Sequence, residues 1–191
     1  MMGQMGRIIS FLASSVDGYY EGPNQEFDWP VVDDEFNEFS VAHLDEFDTL
    51  MFGRVTYEGM AAFWPTAAAQ EDDPRVAERM NRLPKIVVSH TLKDADWNNT
   101  RVLGGDIATE LAALKAESGG DILILGSSNL TVSLMELGIL DELRLMVMPV
   151  VLGAGRSLFR TAEERFPLRL TGSRTFTSGN VLLFYEPTTR A

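Results

Sequence analysis

Phe52-Gly53-Arg54-Val55-Thr56-Tyr57-Glu58 is the stretch on which the reading of this chain turns. An apolar run from Thr49 to Phe52 stops at a glycine, and helical spacing begins at once with Tyr57, Met60, Ala61 and Trp64. This is the pattern of a strand feeding a helix. Gly53 lets a ligand approach the backbone, the first helical turn presents unpaired N–H groups to an anion, and Arg54 can add a bidentate fork for a phosphate. The same residues also suit a plain turn with a surface cation, so the neighbouring segments must decide.

Two further apolar runs end in small hydroxyl residues. They are Lys85-Ile86-Val87-Val88-Ser89-His90-Thr91 and Asp121-Ile122-Leu123-Ile124-Leu125-Gly126-Ser127-Ser128. The second leads into Asn129 to Gly138, a helix bracketed by a serine N-cap and a glycine C-cap. In open α/β sheets ligands bind outside the carboxyl ends of the strands, so three such ends predict one shared crevice for a phosphorylated cofactor.

The rest of the chain alternates strands and helices. Ile8 to Ser14 reads as a buried strand, followed by a loop punctuated by Gly18, Gly22, Pro23 and Pro30 and long enough to act as a lid. Asp33 to Phe47 carries Phe36, Phe39, Leu44 and Phe47 near helical spacing, Ala67 to Arg82 is polar with a helical tail, and Asp106 to Lys115 is an Asp-capped helix. Leu143 to Val151 reads as one apolar strand broken at Pro149, and Leu168 to Phe176 with Asn180 to Tyr185 as an antiparallel pair turning at Ser178-Gly179. Strands separated by helices and closed by a hairpin give a single α/β sandwich domain over residues 1–191. Gly153-Ala154-Gly155 imitates a dinucleotide fingerprint but lacks its third glycine and its acidic partner, and reads as a turn.

Composition narrows the functions. The chain has 191 residues with 45% hydrophobic content, enough for one core. It has no cysteine, which excludes disulfides, a thiolate nucleophile and Cys-ligated zinc, and no metal is expected. A net charge of −12 without a Lys/Arg cluster argues against nucleic-acid and anionic-membrane partners, and it makes Arg54 more consequential for any dianionic ligand. No apolar run approaches the roughly 20 residues of a membrane span, and Met1 to Arg7 has no secretory pattern, so the expectation is a soluble cytoplasmic protein. Without such a signal, the sequons at Asn98-Asn99-Thr100 and Asn129-Leu130-Thr131 read as chance.

The ordered set ASSVDG, FGRVTYE, IVVS, ILGSSNL, DELRLMVMPVVLGAGRSLF and SGNVLLFYEP resembles the dihydrofolate-reductase-like superfamily. Within it, the chain looks most like stand-alone relatives of the reductase domain of bacterial riboflavin biosynthesis, over about Arg7 to Pro187. The resemblance implies a three-layer α/β sandwich around a mixed, mostly parallel sheet, NADPH as cofactor, and a homodimer. It implies that Gly53, Arg54 and Thr56 hold cofactor phosphates, that Ser89 helps bind the adenosine phosphate, that Gly126, Ser127 and Ser128 cradle the pyrophosphate, and that Ala13 and Ser14 contact the nicotinamide amide. His90 could add a donor beside Ser89, though an exposed histidine there is also explained as incidental.

The substrate side is thinner. Reduction of a C=N or C=O group needs a dry pocket and a proton source, so a carboxyl buried beside the nicotinamide is expected. Folate reductases carry it early on the first helix. Counting from Trp29 reaches Asp34 and counting back from GRVTYE reaches Asn37, which leaves Asp33, Asp34 and Glu38 open with Asp34 preferred. Those acids also simply suit a helix N-terminus. Trp29, Glu38 and Met146 fall on the implied substrate side. Met146 stands where folate reductases use a threonine, which argues against dihydrofolate. The implied function is NADPH-dependent reduction of a small heterocyclic or carbonyl substrate; the competing class is a nucleotide-binding dimer without turnover. The segment Leu143 to Phe159 is the candidate dimer surface, or else a fully buried internal strand.

Overall fold

The computed structural model describes residues 6–118 and 120–188. In chain order they form β1 (Ile8–Ser15), β2 (Tyr19–Glu21), α1 (Asp34–Leu44), β3 (Thr49–Gly53), α2 (Arg54–Phe63), α3 (Ala67–Asp72), α4 (Pro74–Arg82), β4 (Lys85–Val88) and β5 (Thr100–Leu103). There follow α5 (Ile107–Ser118), β6 (Ile122–Leu125), α6 (Ser128–Glu136), β7 (Glu142–Met148), β8 (Arg156–Ser157), β9 (Leu168–Thr175) and β10 (Val181–Pro187). Eight strands make one sheet in the order β5-β4-β3-β6-β1-β7-β10-β9. The pairs from β5 through β7 are parallel, and β10 runs antiparallel to both β7 and β9. The mixed, mostly parallel sheet expected from the sequence is therefore present.

Alternation along β1 sorts the two faces. Ile9 packs with Leu44 of α1, Phe47 from the turn that follows it, Tyr57 from α2 and Met80 from α4, whereas Ile8 and Leu12 pack with Leu111 of α5 and Leu130 and Leu134 of α6. The result is three layers. A third cluster under α1 joins Phe39 to Met146, Met148, Phe176 and Leu182. The register places Ala13 opposite Met146, Met146 opposite Leu182, and Leu182 opposite Arg174, in one row on the α1 side.

Several boundaries differ from expectation, each for a local reason. The polar segment 67–82 is two helices, because Pro74 cannot continue α3 and Asp73 instead caps α4, accepting from Arg75 N at 2.9 Å and Val76 N at 3.2 Å. The apolar run after Leu143 leaves the sheet at Met148, and Val151 is exposed. β7 itself lies inside the sheet between β1 and β10, so its edges are closed to a partner. The loop after β1 is partly anchored, not a free lid: β2 pairs with β8, and Asp17 accepts from Leu152 N at 3.1 Å and Gly153 N at 2.8 Å. Gly155 (φ +144) touches this ribbon so closely that a Cβ would overlap the Glu21 carbonyl, and Gly153-Ala154-Gly155 form a bend leading into β8.

Candidate functional site

The strand ends singled out in the sequence meet at the carboxyl edge of the sheet. The Gly53 N–H donates to Ser127 Oγ at 2.8 Å, tying the end of β3 to the start of α6. Gly126 donates to the Phe11 carbonyl at 3.0 Å and has φ +62; a Cβ on it would lie 3.2 Å from Thr56 Cγ2. Gly53, Thr56, Gly126 and Ser127 are thus one contiguous surface.

How the helices begin separates this surface from the rest of the molecule. α1, α3, α4 and α5 have side-chain oxygens on their first amides, supplied by Asp33, Thr66, Asp73 and Asp106. α2 and α6 have none. The serine at the N-cap position of α6 does not cap it: Ser127 is left-handed (φ 58, ψ 56) and spends its hydroxyl on Gly53. Ser128, 6% exposed, turns its hydroxyl to the Leu158 carbonyl. Two helix N-termini joined at Gly53–Ser127 are left with first-turn amides that lack side-chain acceptors. Amides so arranged suit an anion such as a pyrophosphate.

The other residues expected to meet a cofactor lie at the ends of neighbouring strands. Arg54 is half-exposed and forks onto Glu58 at 2.9 and 3.0 Å, so a phosphate would have to displace a solvent-screened partner. Ser89, at the end of β4, accepts from Leu92 N at 3.0 Å and Thr91 N at 3.2 Å. The neighbouring His90 Nδ1 meets the Gly104 carbonyl at 2.9 Å, and because a carbonyl only accepts, that nitrogen is the donor. Ala13 is partly exposed toward α1; Ser14, 3% exposed, is on the opposite face.

The substrate side departs from expectation. The carboxyl expected to be buried is not found among the three candidates. Asp33 is spent on the Phe36 amide at 2.8 Å, Glu38 is exposed and bridges to Arg75 of α4 at 2.5 Å, and Asp34 is exposed. Helix geometry explains this: with Phe39 and His43 turned to the sheet, Asp34 and Glu38 fall on the outer side. Met146 is fully buried, and Trp29 packs at the edge of its cluster with an indole N–H that has no partner among the described residues.

Two groups went unnoticed in the sequence. Asn180, fully buried, donates from Nδ2 to the Val31 carbonyl at 3.0 Å, and Glu35 accepts from Thr177 N at 2.8 Å, which holds that carboxyl below its usual range. Together they pin the Trp29–Asp34 segment to the β9–β10 turn. Only the Ser-Gly-Asn hairpin signal at 178–180 could have drawn attention to them. An open hollow of about 440 Å³ lies at the opposite edge of the sheet, lined by Thr49, Lys85 and Thr100 at the strand beginnings, and includes none of the candidate site residues.

With the geometry in hand, comparison places the chain. The model of the RibD C-terminal domain matches residues 7–182. The chain belongs to that family. YyaP of Bacillus subtilis (strain 168), an uncharacterized protein, is 34% identical over 186 residues, covering 94% of each chain. Among solved structures, a candidate riboflavin biosynthesis protein of Shewanella sp. PV-4 superposes with TM-score 0.74 at 22% identity, covering 96% of this chain and 99% of its own. Dihydrofolate reductase from Enterococcus faecalis, complexed with NADP(H), gives TM-score 0.63 at 16% identity, with 97% and 98% covered. The fold of this RibD C-terminal domain protein is dihydrofolate-reductase-like, the family relates it to reductases, and no described helix is long and apolar enough to cross a membrane.

Proposed function

We propose that the protein is an NADPH-dependent reductase of a small heterocyclic or carbonyl substrate. The observation that carries the reading is the pair of N-termini, α2 and α6, joined through Gly53–Ser127 and free of side-chain caps while the other described helices are capped. The residues fit the cofactor: a Cβ at Gly126 would crowd the cradle, and Arg54 is the cation at its rim. Bound NADPH would supply the two electrons of the reduction. The chain's own part is to hold the phosphates on the amides of α2 and α6 with Arg54, Thr56 and Ser89 beside them, and to keep water out through the Phe39–Met146 cluster.

Of the three acids, Asp34 alone accepts no hydrogen bond among the described residues, so it is the one free to pass a proton from solvent. That exposure also favours the second reading, a nucleotide-binding dimer without turnover. Substrate-dependent NADPH oxidation separates the two. The cofactor itself is tested by fluorescence titration: wild type should bind NADPH ten- to a hundredfold more tightly than NADH, about the 1.5–3 kcal/mol of charge-assisted bonds to the 2′-phosphate, and Arg54→Ala should erase most of the difference. Equal wild-type affinities would remove Arg54 from the site.

A further inference from the structure

Polar atoms without partners lie where the loop before α1 meets the β9–β10 turn. Asn180 is fully buried; its Nδ2 donates to the Val31 carbonyl at 3.0 Å, and its Oδ1 has no partner among the described residues. Trp29 Nε1, two residues before Val31, and Ser178 Oγ, two before Asn180, are buried and equally unpartnered among the described residues. The other two tryptophans differ. Trp64 donates its indole N–H to Met60 Sδ at 3.1 Å, and Trp97 to Asn81 Oδ1 at 2.8 Å. An open donor and an open acceptor at one buried corner are costly to keep, and they point to a group that arrives from outside.

The corner continues the row that starts at Ala13. Ala13 pairs opposite Met146 and Met146 opposite Leu182, and by alternation Met148 and Asn180 fall on the same side, one step nearer the carboxyl edge. Two strand spacings, about 10 Å, separate β1 from β10. Ala13, Trp29 and Phe36 are partly exposed and pack on Phe39, Met146 and Met148. Phe27, 62% exposed, lies edge-on to Trp29 at 5.5 Å and extends the apolar lining outward. No cation on this side is free among the described residues: Arg174 is held by Glu35, Arg75 by Glu38 and Asp73, and Arg144 by Glu46 and Glu142. The first turn of α1 is capped by Asp33, so it offers an anion nothing either.

We propose that the substrate is an uncharged, planar ring compound with a lactam edge, whose carbonyl accepts from Trp29 Nε1 and whose ring N–H donates to Asn180 Oδ1; the assignment rests on the reductase reading given above. A ring amide holds its carbonyl and N–H on one edge, the complement of an open donor and an open acceptor. The aromatic rings of Trp29, Phe36 and Phe39 suit a flat face, and Met146 and Met148 adapt to its outline. A phosphate or carboxylate on the ring would meet Asp34 and Glu38 in a chain of net charge −12, with no cation to receive it.

The probe is quinolin-2-one, a neutral planar lactam, titrated with NADP+ present into isotope-labelled protein. Of the three indole N–H signals, that of Trp29, assigned with Trp29→Phe, should move downfield, while those of Trp64 and Trp97 should stay. N-methylquinolin-2-one, which lacks the N–H, and the 4-carboxylate of quinolin-2-one, which adds a charge, should each bind at least about tenfold more weakly, and Trp29→Phe should weaken quinolin-2-one by about as much. A Trp29 signal that stays still up to millimolar probe, or equal affinities for the three compounds, would overturn the proposal. A still Trp29 signal in a chain that binds NADPH removes this substrate class and leaves the reductase reading standing. Probe binding in a chain that does not bind NADPH removes the reductase reading and leaves the corner a lactam site.

Discussion

His43 is 3% exposed, stacked 5.0 Å from the ring of Phe39 and flanked by Phe11 and Phe47, and its Nε2 has no partner among the described residues. Burial, with Arg144 adding to it, pushes the imidazole down to about 3. An unfolded chain takes up this proton near the ordinary value of 6.5 and the folded chain does not, so stability contributed by neutral His43 is complete above that pH and is lost as pH falls toward 3. Each pH unit inside the window costs about 1.4 kcal/mol. Denaturant titrations at pH 7.5 and pH 5 should show His43→Leu losing less stability on acidification than wild type, by about 1–2 kcal/mol. Identical slopes would mean that another group governs acid unfolding. Asp34 is the opposite case, an exposed carboxyl whose proposed role is chemical. If it passes the proton, Asp34→Asn should lower kcat about a hundredfold with NADPH affinity unchanged, and Glu38→Gln should not.

At the scale of elements, α4 ends on a buried cation. Lys85, 1% exposed at the start of β4, donates to the carbonyls of Met80 (2.9 Å), Asn81 (3.1 Å) and Leu83 (2.7 Å) and lies 4.5 Å from the centre of the Trp97 ring. Burial pushes it down to about 8, yet three carbonyls and the negative end of the helix favour the charged form at neutral pH. Lys85→Met should strand those carbonyls and cost about 3 kcal/mol or more in chemical denaturation, whereas exposed Lys93→Met should change stability by less than about 0.5 kcal/mol. The sequence offered Lys85 only as the first residue of a strand, because its partners come from a helix end that folding brings alongside.

The same limit decides which other elements were legible. β1, β3, β4, β6, β7 and the β9–β10 pair could be read because their apolar runs are local. β5 was missed because an edge strand of four residues, two of them Thr100 and Arg101, carries almost no such signal, and β2 and β8 exist through the contacts of Asp17 and Gly155. At the site, the meeting of Gly53 with Ser127 followed from the rule for strand ends. The left-handed backbone of Ser127 did not, since a serine before a helix ordinarily caps it and only the bond to Gly53 says otherwise.

The whole molecule carries a net charge of −12 and many ion pairs, and the two push stability in opposite directions with salt. The pairs are mostly exposed, as at Arg54–Glu58, Arg82–Glu78 and Arg75–Glu38, and each such pair contributes no more than about 1 kcal/mol before screening. Self-repulsion acts among all the surplus acids at once; near 0.01 M salt, where the Debye length is about 30 Å, it spans the molecule, and at 0.1 M it is cut off near about 10 Å. Repulsion should therefore win. Raising NaCl from about 20 mM to about 300 mM should raise Tm by about 2–4 °C, the shift expected for about 1 kcal/mol in a chain of this size. The measurement belongs at pH 8, where His43 is neutral in both folded and unfolded states and cannot add its own proton uptake. A Tm that falls with salt would mean that the bridges joining α1 to α4, Glu38–Arg75 and Asp45–Arg79, hold the fold more firmly than their exposure suggests. Glu38→Gln would then lower Tm and flatten the salt dependence together.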